Sequence, residues 1–472
     1  MQSEIHQSKQ TYQITQLLEQ QKKAFLQTPY PTEKLRKQQL LALKISLLKH
    51  KEKLYKAVSA DFGCRSKTET LFSDILRVVA TIDHTIKHLR NWMKPAKRSV
   101  SMRFQPAINR IMYQPLGVIG IISPWNYPVL LSLGPLVEVI AAGNRAMIKP
   151  SEHTPYTNRI ISEILEETFS SDEVSLVSGD SSFAKFFSEL PFDHLIFTGS
   201  SAVGKLVMAS AAKNLTPVTL ELGGKSPVLL CDDIDVELAV NRILFGKCLN
   251  AGQTCVAPDY ILCPESKLDA LISEFKTQFI QLYPQNENKN YTSIINDQHF
   301  KRLQSYLADA SQKGANVISL AGASTNTRYM PLQLITHTHN DMAVMQQEIF
   351  GPILPIISYQ KLSEAISFIQ SKARPLAFYL FSNNVNIQNQ VLKQTHAGGV
   401  CINDTVSHVA QLDLPFGGVG ASGMGQYRAH EGFKTFSANK PIHKKSRHYS
   451  KHANLFPFGK IFYKLIYHFF VK

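Results

Sequence analysis

The chain reads as an α/β protein made of two doubly wound domains and a small β arm. Three observations carry that reading. At 472 residues, 44% of them hydrophobic, it can bury a large core yet exceeds what one core supports, so two or more domains are expected. From about Gly117, short apolar runs closed by Gly, Ser, Asn or Pro alternate with helix-like stretches, the texture of a doubly wound unit. After Gly223 the alternation restarts and continues to about Asn403. No 20–50-residue repeat and no low-complexity tract competes with this organisation.

Taken in order, Met1–Gln10 is polar and shows no basic start followed by an apolar stretch, so no secretory leader is expected and the cytoplasm is the default location. Thr32-Glu33-Lys34 caps a long scaffold helix whose apolar members Leu40, Leu41, Ile45, Leu47, Leu48 and Leu54 run to a stop at Gly63. Between Lys97 and Met112 the alternation Ser99, Val100, Ser101, Met102, Arg103, Phe104 predicts a strand arm. Val118–Ile122 is an apolar run ending in Ser123-Pro124-Trp125-Asn126-Tyr127-Pro128; later runs end in Lys149-Pro150-Ser151-Glu152 and in Thr198-Gly199-Ser200. Each sets polar groups just past a strand, where open α/β sheets bind ligands. At this last turn the usual Gly-x-Gly-x-x-Gly fingerprint is absent. Gly199-Ser200-Ser201-Ala202-Val203-Gly204 stands in its place before the helix-like Lys205–Ala212, and a helix N-terminus offers free N–H groups to a pyrophosphate. Alone, such a loop is equally a plain strand-to-helix turn.

Two segments carry candidate chemistry. Leu220-Glu221-Leu222-Gly223-Gly224-Lys225 places one carboxylate between apolar neighbours and then a glycine pair, where backbone can approach a ligand closely. Asn250-Ala251-Gly252-Gln253-Thr254-Cys255 places a thiol in a polar, Gly-containing segment. Together they form a nucleophile and base: desolvation raises a carboxyl toward neutrality, and a thiolate attacks. Separately, Cys255 also reads as a small core hydrophobe and Glu221 as an ordinary paired carboxylate.

Composition narrows the partners. The cysteines Cys64, Cys231, Cys248, Cys255, Cys263 and Cys401 show no C-x-x-C spacing, which argues against a disulfide framework or zinc cluster and for a reducing compartment; no metal is expected. A net charge of +15 raises the question of nucleic acid, but no recognition motif accompanies it, and much of the excess lies in Lys440–Lys472, which contains no Asp or Glu. There Phe458, Ile461, Phe462, Leu465, Ile466, Phe469 and Phe470 recur at helical spacing against Lys460, Lys464, His468 and Lys472. This basic amphipathic stretch is too short and charged to span a bilayer, and suits lying on an anionic membrane surface or docking on the protein's own surface.

From about Arg110 to Phe436 the chain resembles the aldehyde dehydrogenase superfamily. Six motifs appear in family order: the Trp125-Asn126 turn, Lys149-Pro150-Ser151-Glu152, Thr198-Gly199-Ser200, Glu221-Leu222-Gly223-Gly224-Lys225, the Cys255 loop, and Glu348-Ile349-Phe350-Gly351-Pro352. Gln253–Tyr260 and Leu414–Gly425 look like the class 3 branch of fatty-aldehyde and coniferyl-aldehyde dehydrogenases. The resemblance implies that Cys255 attacks the aldehyde, that Asn126 and the Cys255 backbone N–H receive the oxyanion, and that Glu221 activates water against the thioester. It further implies NAD or NADP held by Trp125, Lys149, Glu152, Thr198, Gly199, Ser200, Val203, Gly204, Leu222, Gly223, Glu348 and Phe350. Lys149 and Glu152 would meet the adenosine ribose, Glu348 and Phe350 the nicotinamide side. The expected division is 1–96, 111–222 and 409–430 for the cofactor, 223–408 for the nucleophile, 97–110 and 431–446 for an arm pairing across a homodimer, and 447–472 for the basic tail. Glycine-rich Phe416–Gly423 takes no cofactor role, and His408 is structural. The implied substrate is a medium or long apolar aldehyde, aliphatic or aromatic. A semialdehyde dehydrogenase is the alternative enzyme; a silent homologue acting as a binding protein would be expected to lose Cys255 or Glu221, and both are present.

Overall fold

A computed structural model describes residues 2–101, 104–284, 290–322, 328–446, 467–469 and 471. Three sheets organise the chain. The first contains Val118–Ile122 (β3), Arg145–Lys149 (β4), Val174–Leu176 (β5), His194–Gly199 (β6), Val218–Leu222 (β7) and Gly423–Met424 (β15), ordered β15-β7-β6-β3-β4-β5. Its first five members are parallel, and β3 is buried along its whole length, which is why it reads as an unbroken apolar run rather than an alternation. Parallel pairing also sends the ends of β3, β4, β6 and β7 to one edge, so the four polar segments that follow them meet there.

The second sheet contains Pro227–Leu230 (β8), Tyr260–Pro264 (β9), Asn316–Ser319 (β10), Gln333–Thr336 (β11), Ile353–Tyr359 (β12), Ala377–Phe381 (β13) and Gly399–Ile402 (β14), ordered β10-β11-β12-β9-β8-β13-β14. Only β10 is antiparallel to its neighbour. The third is an antiparallel sheet of Ala96–Arg98 (β1), Ala107–Pro115 (β2) and Ser437–Lys445 (β16).

The arm differs from its sequence reading. Within the alternating stretch, residues 99–101 and Phe104 are not strand; β1 and β2 flank it, with a Phe104 N–H bond to the Ser101 carbonyl and an Asn109 side-chain bond to the Ser99 carbonyl at 2.8 Å. Pro106, with no N–H to give a ladder, ends the connection. Met102 and Arg103 lie outside the described residues. The expected helix starts at the Thr32 cap and ends at Gly63 (φ 83°), but is two helices, Glu33–Lys49 and Lys51–Phe62, separated at His50. The amphipathic tail falls almost wholly outside the described residues. Among the described residues no helix is long and apolar enough to cross a membrane.

Candidate active site

Helix Val236–Cys248 runs into a tight turn in which Asn250 (φ 52°) and Ala251 (φ 51°) take left-handed backbone and Gly252 follows at φ 72°. Two consecutive non-glycine residues in that region cost about 1–2 kcal/mol each and persist only where surroundings over-determine them. Here they do. Asn250 Nδ2 donates to the carbonyls of Asn126 (3.0 Å) and Gln253 (3.1 Å); Gln253 Nε2 donates to Ser293, and its Oε1 accepts the Ile295 N–H. A Cβ on Gly252 would fall 2.5 Å from the Gly351 carbonyl oxygen. The turn holds the next residues against the edge where β3 and β7 end: Tyr127 and Thr254 share a hydroxyl bond of 2.8 Å, and Asn126 Nδ2 donates to the Gln253 carbonyl at 3.2 Å.

Cys255 is thereby set beside Glu221, its Sγ–H donating to Oε1 at 3.8 Å. Glu221 is 1% exposed. Its Oε2 accepts from Tyr427 Oη at 2.7 Å and from Thr198 Oγ1 at 3.3 Å. Burial raises the Glu221 carboxyl above its ordinary range, while Tyr427, Arg428, Thr198 and Cys255 pull it back. Burial, then the charges of Glu221 and Glu348, push the Cys255 thiol well up, against Arg428 and its own backbone N–H. The resting sulfur therefore keeps its proton until a neighbour takes it, and Glu221 is within reach.

Cys255 and Glu221 open on a cavity of about 280 Å³ walled by Phe72, Tyr127, Phe245, Val256, Val406, Val409 and Phe416. Two guanidiniums also line it, Arg77 and Arg428. Both are engaged: Arg77 donates to the carbonyls of Val409 and Ala410, and Arg428 donates to that of Val409 while stacking 4.2 Å over the Phe416 ring.

The other expected residues fall into two groups. Lys149, 3% exposed, donates to Glu152 Oε2 at 3.0 Å, and Glu152 lines a cleft of about 480 Å³ with Pro150, Pro155, Asn158, Arg159 and Gly179. Ser200 caps the helix Ser201–Ala212; Val203 is exposed on its first turn, and Gly204 lies so close to Leu222 that a Cβ would meet Cδ2 at 2.6 Å. These features fit a dinucleotide: a buried lysine paired with a carboxylate on the cleft, an open helix N-terminus, and glycine at Gly199 and Gly223, where a Cβ would strike Phe197 and Glu348. Nearer the thiol, Trp125 meets Phe350 edge-on at 5.3 Å, and Glu348 packs on Gly223. Burial, then Asp259, push the Glu348 carboxyl up to about 8. Thr198 faces Glu221 rather than the cleft. His408 packs on Tyr379, and neither ring nitrogen has a hydrogen-bond partner among the described residues. Among the described residues no His, Cys, Asp and Glu group could hold a metal.

Several site residues had no local signal. Tyr427 reaches Glu221 because β15 lies against β7, Gly423 opposite Glu221; Gly423 (φ 149°) allows the approach, since a Cβ would sit 2.3 Å from the Leu220 carbonyl oxygen. Arg65, buried on the rings of Phe62 and Tyr127 and paired with Asp74 at 3.2 Å, donates to the Asn126 carbonyl at 3.0 Å. Lys225 bridges Asp259 to the carbonyls of Val344 and Gln347, anchoring the segment that carries Glu348 and Phe350.

The sequence profile of the aldehyde dehydrogenase family matches residues 3–442. The chain is 48% identical to a probable coniferyl aldehyde dehydrogenase of Pseudomonas aeruginosa, over 98% of this chain and 97% of that one. Among solved structures it is similar to the substrate-bound state of Staphylococcus aureus AldH, with TM-score 0.92 and 39% identity over 96% of this chain and 99% of that one. It is also similar to a betaine aldehyde dehydrogenase of Staphylococcus aureus in complex with NAD+, with TM-score 0.82 and 25% identity over 92% and 88% of the two chains.

Proposed function

The chain belongs to the aldehyde dehydrogenase family, and from that membership we propose how its residues divide the work. The enzyme oxidises apolar aldehydes with NAD or NADP. Glu221 takes the Cys255 proton, and Sγ adds to the aldehyde carbon. The alkoxide of the resulting thiohemiacetal is met by the Cys255 backbone N–H and by Asn126 Nδ2, which has a second hydrogen beyond the one given to Gln253. Such a donor is worth about 3–4 kcal/mol at the transition state. A bound oxidised nicotinamide would supply the acceptor for the hydride of the aldehyde carbon. Cys255 then carries a thioester, and Glu221, once it has released the thiol proton to solvent, takes a proton from the water that hydrolyses it. Glu152 on the cleft with its partner Lys149, the loop residues Gly199, Ser200, Val203 and Gly204 and the following Leu222 and Gly223 hold the dinucleotide, while Thr198 at the start of the loop bonds Glu221 instead; Trp125, Glu348 and Phe350 border its nicotinamide end. Residues 1–96, 111–222 and 409–430 serve the cofactor, and 223–408 carry the thiol.

The observation that carries this reading is the Cys255–Glu221 contact on the floor of an apolar cavity. The substrate is a medium or long-chain aliphatic or aromatic aldehyde, since the cavity wall is hydrocarbon and aromatic. A semialdehyde's carboxylate would need a free cation, and both guanidiniums already serve carbonyls and a ring. We further propose a cytoplasmic homodimer formed through the β1-β2-β16 arm, in peripheral contact with anionic membrane through the basic tail. A panel of aliphatic, aromatic and semialdehyde substrates with each cofactor, read by absorbance of reduced nicotinamide, tests the assignment. Efficiency should rise with apolar chain length; a preference for semialdehydes would refute it.

A further inference from the structure

Beside the substrate cavity lies a polar one, and the role assigned to it rests on the proposed aldehyde dehydrogenase chemistry. Helix Pro128–Ala142 is apolar and buried almost throughout, yet it contains Glu138. That side chain is 1% exposed; Oε1 accepts the Ala429 N–H at 3.0 Å, while Oε2 has no hydrogen-bond partner among the described residues. On the facing helix Leu76–Trp92, Thr85 is fully buried and its hydroxyl likewise lacks a partner. Both residues line one cavity, whose outer side is bordered by exposed Gln411. Its inner side is shared: Arg77, Leu130, Leu131 and Arg428 line it and the substrate cavity alike. It offers about 30 Å³ to the centres of water molecules, and one water needs roughly 10–15 Å³ on that measure, so about two fit. Buried polar atoms without protein partners are costly unless water satisfies them, and two such atoms on a cavity of this size mark a hydrated one.

We infer that this cavity is a hydration chamber that brings the hydrolytic water toward Glu221 and removes its proton by a route separate from the substrate mouth, with Glu138 as the relay. A long acyl group on Cys255 fills the apolar cavity, so water cannot easily follow it in. In hydrolysis the water oxygen bonds to the thioester carbonyl carbon and one water proton goes to Glu221. The C–S bond breaks with its electron pair on sulfur, and the carboxylic acid formed passes its proton to that thiolate. One proton remains on Glu221. It leaves across the chamber water to Glu138 and out at Gln411. Facing Glu138 are Arg77 and His84 from helix Leu76–Trp92, and Arg428 and Glu431 from the segment after Tyr427. Burial, opposed by the Ala429 N–H and Arg428, pushes Glu138 up to about 8, where a carboxyl gives and takes protons with similar ease.

The test is Glu138→Gln, which keeps the size and an acceptor for the Ala429 N–H but cannot relay a proton. With a long-chain aldehyde it should give a burst of about one reduced cofactor per site and then a steady rate about 10-fold below wild type, with kcat/KM and the first turnover unchanged. With a short aldehyde, which leaves room for water in the substrate cavity, the deficit should shrink to about 2-fold. A structural defect would not distinguish chain lengths. Steady rates within 2-fold of wild type on both substrates, or equal losses on both, would overturn the relay. Thr85→Val carries the test if Glu138→Gln does not fold: the same long-chain burst supports the chamber, and unchanged turnover overturns it. Wild-type protein that reduces neither cofactor with any aldehyde would remove the proposed function itself, and the chamber's role with it.

Discussion

A thiol held neutral by burial is a poor nucleophile until a neighbour takes its proton, so the Cys255–Glu221 contact should dominate the effects of single substitutions. Cys255→Ala is expected to lower turnover by at least about 10³-fold. Its affinity for reduced cofactor, followed by fluorescence titration, should be unchanged, because the expected cofactor contacts lie elsewhere. Near wild-type turnover would exclude a covalent route. Glu221→Gln keeps the shape but accepts no proton, so acylation should slow and stay within part of one turnover, and the thioester that does form should persist on Cys255, visible as an added acyl mass in the quenched protein. Full steady turnover would make Glu348 the next candidate base. Tyr427→Phe removes the 2.7 Å bond to Glu221, one of the influences that hold this carboxyl down. Its loss should raise the Glu221 pKa, so the acid limb of the rate profile should move to higher pH, with kcat falling about 10-fold. An unmoved limb would mean that Tyr427 does not act through Glu221.

Among the elements, the turn between helix Val236–Cys248 and β9 concentrates backbone strain just before the thiol, with Asn250, Ala251 and Gly252 all at positive φ. Gly252 is the position that tolerates least. Alanine there would meet both the left-handed backbone and the Gly351 carbonyl. Gly252→Ala is therefore expected to lose about 2–4 kcal/mol of stability and to displace Cys255, so that activity falls further than the change in thermal midpoint alone explains. A variant with wild-type midpoint and rate would show that the turn relaxes freely. The glycine-rich segment 417–425 has a comparable explanation in packing: it threads beside β7, and Cβ atoms at Gly417 and Gly418 would strike the carbonyls of Gly425 and Ser422.

For the molecule as a whole, the unbalanced charge is what the fold leaves unused. The excess of 51 Lys and Arg over 36 Asp and Glu includes a C-terminal stretch from Lys440 with no acid, and the expected amphipathic tail lies there. Deleting the residues after Ala453 should leave turnover of short aldehydes largely unchanged, since every group assigned to the chemistry precedes it. Binding to vesicles rich in anionic lipid should fall, and the intact protein's binding should weaken as salt screens its lysines. Efficiency on long-chain aldehydes should drop more than on short ones. Equal vesicle binding and an unchanged chain-length profile would make the tail a brace on the protein itself.

Much of this was legible in the chain because local chemistry determined it. Unbroken apolar runs such as Val118–Ile122 specify buried parallel strands, Thr32 and Gly63 mark helix ends, and the order of the Trp125, Lys149, Glu221, Cys255 and Glu348 motifs identifies the family. The strands of the arm lie at Ala96–Arg98 and Ala107–Pro115, beside the alternating stretch whose residues 99–101 and Phe104 join no strand, because alternation alone cannot say which residues pair. What tertiary structure decided is which distant side chains surround those motifs. Tyr427 meets Glu221 across 206 residues through the pairing of β15 with β7, Arg65 reaches the Asn126 carbonyl from the N-terminal helices, and Glu138 and Thr85 face one chamber from two helices. The proton affinities of Cys255, Glu221 and Glu138 come chiefly from burial. Burial belongs to the packed whole: a sequence can name an acid and a thiol, but only the fold removes the water around them and so determines where their protons rest.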